Sequence, residues 1–315
     1  MLPAPMAAAE PTPVVPVIHT QGLTKHYGSV RALEDLTLDV QQGEVFGFLG
    51  PNGAGKTTAI RTLLGYLHPT RGTGRVLGLD ITSESVEIRR RIGYLPGGIA
   101  LYDSLTGARV LDLLADLQGS APVRRDELSE RLEMSPKVLR RRVRDYSRGM
   151  RQKIGVIQAL QCDPELAILD EPTEGLDPLM QQAFYAILEV LKAAKRTVFM
   201  SSHILNEVER VCDRVAIIRG GHLMALQTID DLLARRKRQV QLRWRGAAPD
   251  LTGIPGLADV KISGDRLTAT LSGEVASFVR AVASPSLEDL IIEPARLEDA
   301  FLEYYATEDE NGQPA

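Results

Sequence analysis

The stretch Gly50-Pro51-Asn52-Gly53-Ala54-Gly55-Lys56-Thr57-Thr58 decides the fold. Its spacing, G-x-x-x-x-G-K-T, is that of a phosphate-binding loop. Upstream, Val45-Phe46-Gly47-Phe48-Leu49 is short, apolar and strand-like; downstream, Thr57 to Leu67 carries apolar residues at helical spacing. A strand, a glycine-rich turn and a helix start form the context in which this spacing holds phosphate. The glycines let the backbone bend tightly, so that successive N–H groups converge on one anion. The helix start adds its positive dipole end. Lys56 is the candidate point charge for β- and γ-phosphates, and Thr57 the candidate hydroxyl ligand for Mg²⁺.

On the N-terminal side, Val17 to Leu23 reads as a first strand and Thr24 to Gly28 as a loop carrying an exposed aromatic, Tyr27. Leu36 to Val40 alternates as a half-buried strand does. On the C-terminal side, Gly72 to Asp80 reads as turn, short strand and turn. From about Ser83 to Gln161 helical patterns such as Val110-Leu111-Leu113-Leu114-Leu117 dominate, and strand signals are nearly absent. An α/β nucleotide core with a mostly helical insertion accounts for this most simply. Strands return at Leu166–Leu169, Thr197–Met200 and Arg214–Ile218, separated by helices Leu179–Ala194 and Leu205–Cys212. Such alternation predicts a largely parallel sheet with covered faces.

Beyond Leu226 the pattern changes. Ile229 to Arg238 looks helical and ends in the basic run Arg235-Arg236-Lys237-Arg238. Val240, Leu242 and Trp244 share one strand face, and Gly264-Asp265 marks a hairpin. Helices near Val275–Ala283 and Leu297–Tyr305 complete a small α/β domain. The expected division is a disordered leader (1–16), a nucleotide-binding domain (17–226) with a helical subdomain at about 86–161, a small α+β accessory domain (227–308) and a disordered tail (309–315).

The chain has 315 residues, 44% hydrophobic and 25% charged, which are globular values with room for two cores. A net charge of −4 argues against general nucleic-acid affinity. Cys162 and Cys212 form no metal-ligand pattern and read as small buried hydrophobes in a reduced, cytosolic compartment. No run approaches the ~20 apolar residues that span a bilayer. Residues 1–16 are rich in Pro and Ala without a basic n-region, so they do not read as a signal peptide. If the protein acts at a membrane, something else must hold it there. Arg235–Arg238 fits either contact with anionic lipid or a solvated face, and the solvated face is favoured.

Two further stretches carry chemistry. Ile168-Leu169-Asp170-Glu171 is an apolar strand ending in two carboxylates, and strand C-termini border the ligand crevice of a doubly wound sheet. Asp170 is placed to hold Mg²⁺ directly or through water, and Glu171 to polarise a water for in-line attack. Taken alone, the pair also fits a helix cap with an acidic first residue. Tyr146-Ser147-Arg148-Gly149-Met150 precedes a helix, and Ser147 with the helix N–H groups offers a second anion site or a plain cap.

The order of these motifs resembles the ATP-binding subunit of an ABC transporter, over about Val17 to Leu226. The resemblance implies a P-loop ABC-type nucleotide-binding domain that binds ATP and Mg²⁺. By it, Tyr27 stacks on adenine, and Gly50, Pro51, Asn52, Gly53, Ala54, Gly55, Lys56, Thr57 and Thr58 form the Walker A loop. Leu166 to Asp170 is Walker B; Thr57 and Asp170 hold the metal, and Glu171 is the catalytic base. Tyr146 to Met150 stands at the L-S-G-G-Q signature, where only Ser147 and Gly149 match; those two would reach a γ-phosphate across a dimer. Asp177 matches the loop linking the two sites, and His203 the switch histidine that contacts the γ-phosphate.

One position departs. Ile92-Gly93-Tyr94-Leu95-Pro96 runs into the family's glutamine loop, but Gly97 stands where the glutamine would be. Glycine offers no side-chain ligand, so weakened Mg²⁺ coordination or weakened coupling to transport is expected, without loss of hydrolysis. The signature variant and an appended domain ending Leu297-Glu298-Asp299-Ala300-Phe301-Leu302 resemble drug-resistance-type and sodium-export-type subunits. Those imply the ATP-hydrolysing subunit that energises an exporter: a homodimer that sandwiches two Mg-ATP and pairs with a separate integral-membrane permease at the cytoplasmic face of the plasma membrane, without nucleic acid. Arg89–Arg91 and Arg140–Arg144 would then lie in the subdomain facing the permease, or on a solvated helix face. The alternative function is a soluble ABC-type ATPase acting on DNA or ribosomes. A GTPase would need an N-K-x-D motif, which is absent.

Overall fold

The computed structural model describes residues 15–234, 238–246, 251, 253–272, 274–283 and 286–293. Residues 1–14 of the expected leader (1–16), the basic residues 235–237, the helix at 297–305 and the tail lie outside the described residues. The chain divides into two compact units, Met1–Leu226 and Gln227–Ala315.

The first unit opens with β1 (Ile18–Tyr27), β2 (Val30–Val40), β3 (Val45–Leu49), α1 (Lys56–Leu63), β4 (Arg71–Val76) and β5 (Leu79–Asp80). α2 (Ser85–Arg91) and β6 (Ile92–Leu95) follow, then the helices α3 (Gly107–Gln118), α4 (Arg125–Arg131), α5 (Pro136–Leu139) and α6 (Arg148–Leu160). Strand and helix then alternate through β7 (Leu166–Asp170), α7 (Pro178–Ala193), β8 (Thr197–Ser202), α8 (Leu205–Val211), β9 (Arg214–Arg219) and β10 (His222–Thr228).

Two sheets result. A six-stranded sheet has the order β10-β9-β3-β8-β7-β6, and the pairs β9/β3, β3/β8, β8/β7 and β7/β6 are parallel. Every residue of β3, β7 and β8 is buried, as both faces of a helix-covered parallel sheet require. Phe199 packs between Phe46 and Phe48, with ring centroids 5.6 and 5.3 Å away. A four-stranded sheet, β2-β1-β4-β5, is antiparallel and shares a core with α1.

The structure corrects several readings of this unit. Thr24–Gly28 is not a loop: β1 continues to Tyr27, pairs Tyr27 with Val30, and turns tightly at Gly28, whose φ is 60°. β6 lies inside the stretch read as nearly free of strands. It has four residues, too few to show alternation, and its partner β7 lies more than seventy residues on. A methyl at Gly93 would lie 1.8 Å from the Ala159 carbonyl oxygen, so only glycine lets β6 lie this close under α6. The phosphate-loop helix ends at Leu63 rather than Leu67, where Gly65 takes φ 66°.

The second unit holds α9 (Ile229–Ala234), β11 (Arg238–Trp244), β12 (Leu257–Ser263), β13 (Arg266–Leu271), α10 (Val275–Val282) and β14 (Leu287–Glu293). Arg238 opens a strand instead of closing a helix. The antiparallel sheet has the order β12-β13-β11-β14. Val240, Leu242 and Trp244 point to one face, where Phe278 and Val282 of α10 complete a small core. Gly264-Asp265 forms the β12–β13 turn. Among the described residues of the chain, no helix is long and apolar enough to cross a membrane.

Candidate functional site

The phosphate loop leaves β3 at Gly50 and enters α1 at Lys56. Gly55 takes φ 104°, and a methyl on it would meet the Ala32 carbonyl oxygen at 2.4 Å; the loop is therefore pressed against β2. Gly50 is equally confined, since a methyl on it would lie 2.4 Å from the Ile218 carbonyl oxygen. A cavity of about 290 Å³ lies over the loop, lined by Pro51 to Thr58 except Ala54, by Val30, Arg31 and Ala32 of β2, and by Glu171 and Gly220. Tyr27 is not in this lining; it stands at the end of β1, half exposed, paired with Val30, with the Lys25 ammonium 5.2 Å from its ring centroid.

Parallel register brings the C-termini of β3, β7 and β8 to one edge, since Leu49 pairs with Ser202 and Asp170 with Ser201. The buried carboxylate of Asp170 accepts hydrogen bonds from Thr57 Oγ1 (3.0 Å) and Ser201 Oγ (2.5 Å). Lys56, 5% exposed, donates to the carbonyl oxygens of Gly50 (2.7 Å) and Pro51 (3.2 Å), and its ammonium lies 3.3 Å from Glu171 Oε1. His203 Nδ1 lies 2.8 Å from Glu171 Oε2. Lys56, Thr57, Asp170, Glu171 and His203 therefore converge at the mouth of the loop.

Glu171 has φ 50°, a left-handed backbone rare for a side chain of this size. Its N–H donates to Ser201 Oγ (3.0 Å), and its carbonyl accepts from the Gln152 side-chain amide (3.3 Å), which also donates to the Pro172 carbonyl (2.8 Å). Sequence reasoning singles out neither Ser201 nor Gln152. In the sequence Ser201 is only part of the approach to His203, and Gln152 sits one turn into α6 with nothing local to mark it.

Ser147, Gly149 and Asp177 lie outside the cavity lining. Ser147 caps α6, accepting from Met150 N, and Asp177 caps α7, accepting from Leu179 N and Met180 N. Gly97 has no side chain to offer, and its backbone lies against the metal candidate: a methyl there would be 2.9 Å from Asp170 Oδ2. Tyr94, in β6, has its phenol pushed up to about 12 by burial and by the Asp170 charge.

A parallel sheet with a Walker-type loop after β3, a carboxylate pair at the end of β7 and a histidine just past β8, the strand between them, defines a P-loop nucleotide hydrolase. The family model described as ABC transporter matches residues 33–174. An uncharacterized ABC transporter ATP-binding protein, all4389 of Nostoc sp., is 43% identical over 69% of this chain and 68% of its own length. The daunorubicin resistance ATP-binding protein DrrA3 of Streptomyces coeruleorubidus is 34% identical over 90% of this chain and 94% of its own. A solved ATP-binding subunit of an ABC transporter superposes with a TM-score of 0.64 at 32% identity, covering 69% of this chain and 91% of the other. The chain belongs to the ABC transporter ATP-binding family, and its activity is that of an ATP-binding, ATP-hydrolysing subunit.

Proposed function

We propose that two copies of this chain clasp two Mg-ATP between them and that the closing and reopening of the pair drives a separate membrane permease at its cytoplasmic face in the outward direction. The observation that carries this is the convergence of Lys56, Thr57, Asp170, Glu171 and His203 on one phosphate loop. A nucleotide bound there would take the Lys56 ammonium and the loop N–H groups on its phosphates and leave Glu171 free to orient water. The relation to a daunorubicin-resistance subunit over nearly the whole chain supports outward transport.

Thr57 and Asp170 fit a hard divalent cation. A hydroxyl and a buried carboxylate at a phosphate site leave most positions to phosphate oxygens and water, as Mg²⁺ prefers. Among the described residues no group of three or more His, Cys, Asp or Glu could hold a metal ion. Bound there, Mg²⁺ would neutralise charge on the phosphates. Glu171 polarises the attacking water, His203 holds the carboxylate's second oxygen, and Ser201 fixes the backbone between the metal carboxylate and the base. Ser147 of the second copy, capping its helix, would complete the γ-phosphate cradle; by the resemblance Tyr27 takes the adenine and Asp177 joins the two sites.

Affinity purification of the full chain from detergent-solubilised membranes of its native cell, with mass identification of co-purifying proteins, tests the proposal. A stoichiometric multi-spanning membrane protein is expected. Recovery from the soluble fraction with ribosomes or nucleic acid would overturn it.

A further inference from the structure

Arg148 occupies the first position of α6, where the helix dipole favours an acid and where the first turn holds no acidic residue. Its guanidinium is instead paired with Glu174, three residues beyond Glu171. The turn that carries Glu174 is short and self-bonded: Glu174 N donates to the Glu171 carbonyl (3.2 Å) and Leu176 N to the Thr173 carbonyl (3.0 Å). Two other contacts join this turn to α6. Gln152 holds the carbonyls of Glu171 and Pro172. Gly149 lies so close that a methyl on it would be 2.9 Å from the Gly175 carbonyl oxygen, and a methyl on Gly175 would meet the Arg148 side chain at 3.3 Å.

The first turn of α6, with Ser147 at its head, is thus clasped at three points to the turn between Glu171 and Asp177. An exposed ion pair adds little stability, and both side chains here are well exposed, so folding alone does not explain a cation at the helix start. Its geometric effect is specific: the residues one chain would lend to its neighbour's nucleotide cannot tilt without moving the turn that holds the chain's own base.

We propose that Arg148 is a positioning residue that, through Glu174, ties each chain's Ser147 turn to its own Glu171 turn and so makes the two nucleotide sites of a pair hydrolyse ATP cooperatively. This rests on the sandwich reading above. On closure, the Ser147 turn of each copy meets its partner's phosphates, and the clasp passes that displacement to Glu171.

The test uses the full chain. First, Glu171→Gln with Mg-ATP is examined by light scattering for a nucleotide-dependent dimer. Second, the ATP dependence of hydrolysis is measured for wild type, Arg148→Ala, Glu174→Ala and the charge swap Arg148→Glu/Glu174→Arg. The wild type is expected to show a Hill coefficient of about 2, the limit for two sites, and either single variant a value of about 1. The swap is expected to restore the wild-type value, which a merely structural role of either side chain would not predict. A dimer that forms while Arg148→Ala keeps the wild-type Hill coefficient, or while the swap fails to restore it, overturns the clasp alone. Absence of any nucleotide-dependent dimer overturns the sandwich reading and the clasp with it.

Discussion

His203 Nδ1 lies 2.8 Å from Glu171 Oε2, so the residue at the end of β8 and the residue at the end of β7 share one carboxylate. In the proposed mechanism both serve the same attacking water, so their effects are expected to overlap. Glu171→Gln should lower turnover by about 10²–10⁴-fold while leaving nucleotide binding in place. His203→Ala should also lower it, and the double variant should lose little more than Glu171→Gln alone. Steady-state phosphate release and titration with a fluorescent nucleotide check both; fully multiplicative losses would show that the two residues act independently.

Ser201 is fully buried and serves both carboxylate residues, donating to Asp170 and accepting from the Glu171 N–H. Ser201→Ala leaves the part-buried Glu171 N–H and the buried Asp170 carboxylate each short of a partner. The expected cost is about 1–3 kcal/mol in unfolding free energy, together with reduced turnover. Denaturant titration and phosphate release measure the two effects, and an unchanged midpoint would remove Ser201 from the account.

Gly97 separates sterics from ligation. A methyl at this position would press on Asp170 Oδ2 at 2.9 Å, so Gly97→Ala should lower turnover, by roughly tenfold if about 1.4 kcal/mol of transition-state stabilisation is lost. Gly97→Gln bears the same crowding but adds an amide that can ligate a cation. It should exceed Gly97→Ala, and a rate above wild type would identify weakened coordination as the effect of the glycine. Equal rates for the two variants would exclude a ligand role.

Nucleotide should stabilise the fold through Lys56. At a nucleotide concentration a hundred times the dissociation constant, bound ligand adds about 2.7 kcal/mol. Mg-ATP should therefore raise the thermal midpoint of Glu171→Gln, and chelation of the metal should reduce the shift. The same experiment on Lys56→Ala should give almost no shift; a full shift would show that the loop backbone alone holds the phosphates.

Asp80 gives a pH signature. Its carboxyl is held below the usual carboxylate range by the N–H groups of Ser83 and Thr82 and by the Ser83 hydroxyl. A depressed acid contributes stability above its unfolded value, about 3.9, and loses it as pH falls through the folded value. Asp80→Ala should melt below wild type at pH 7, and the gap should narrow as the pH is lowered towards 3. A gap that stays constant would mean that the carboxylate charge is not what these N–H groups hold.

The chemistry of this chain is legible where it is local. Gly50 to Thr58 carries its whole meaning within one turn, whereas Asp170-Glu171, at the end of an unbroken apolar run, reads as a site only beside that loop, since alone it also fits a helix cap. β6 is hidden because a four-residue strand with a central glycine has no period of its own and is a strand only through β7. Tyr27 reads as a loop residue because Lys25 and His26 look like solvent-facing residues; pairing with Leu33 and Arg31 is what keeps them extended. Ser201 and Gln152 escape for the same reason: each acts on a backbone many residues away, and nothing in its own neighbourhood distinguishes it from an ordinary polar residue.

The left-handed backbone of Glu171 has a consequence for how this chain can vary. Holding a non-glycine residue in that region costs about 1–3 kcal/mol, which glycine would not incur. Glu171→Gly would relieve that strain but leave the buried Lys56 ammonium and His203 without their carboxylate, so the backbone gain is offset and catalysis is lost. The strained backbone is thus kept in place by contacts of the very side chain assigned to the chemistry, so a lineage released from the need to hydrolyse ATP would lose the reason to keep both at once.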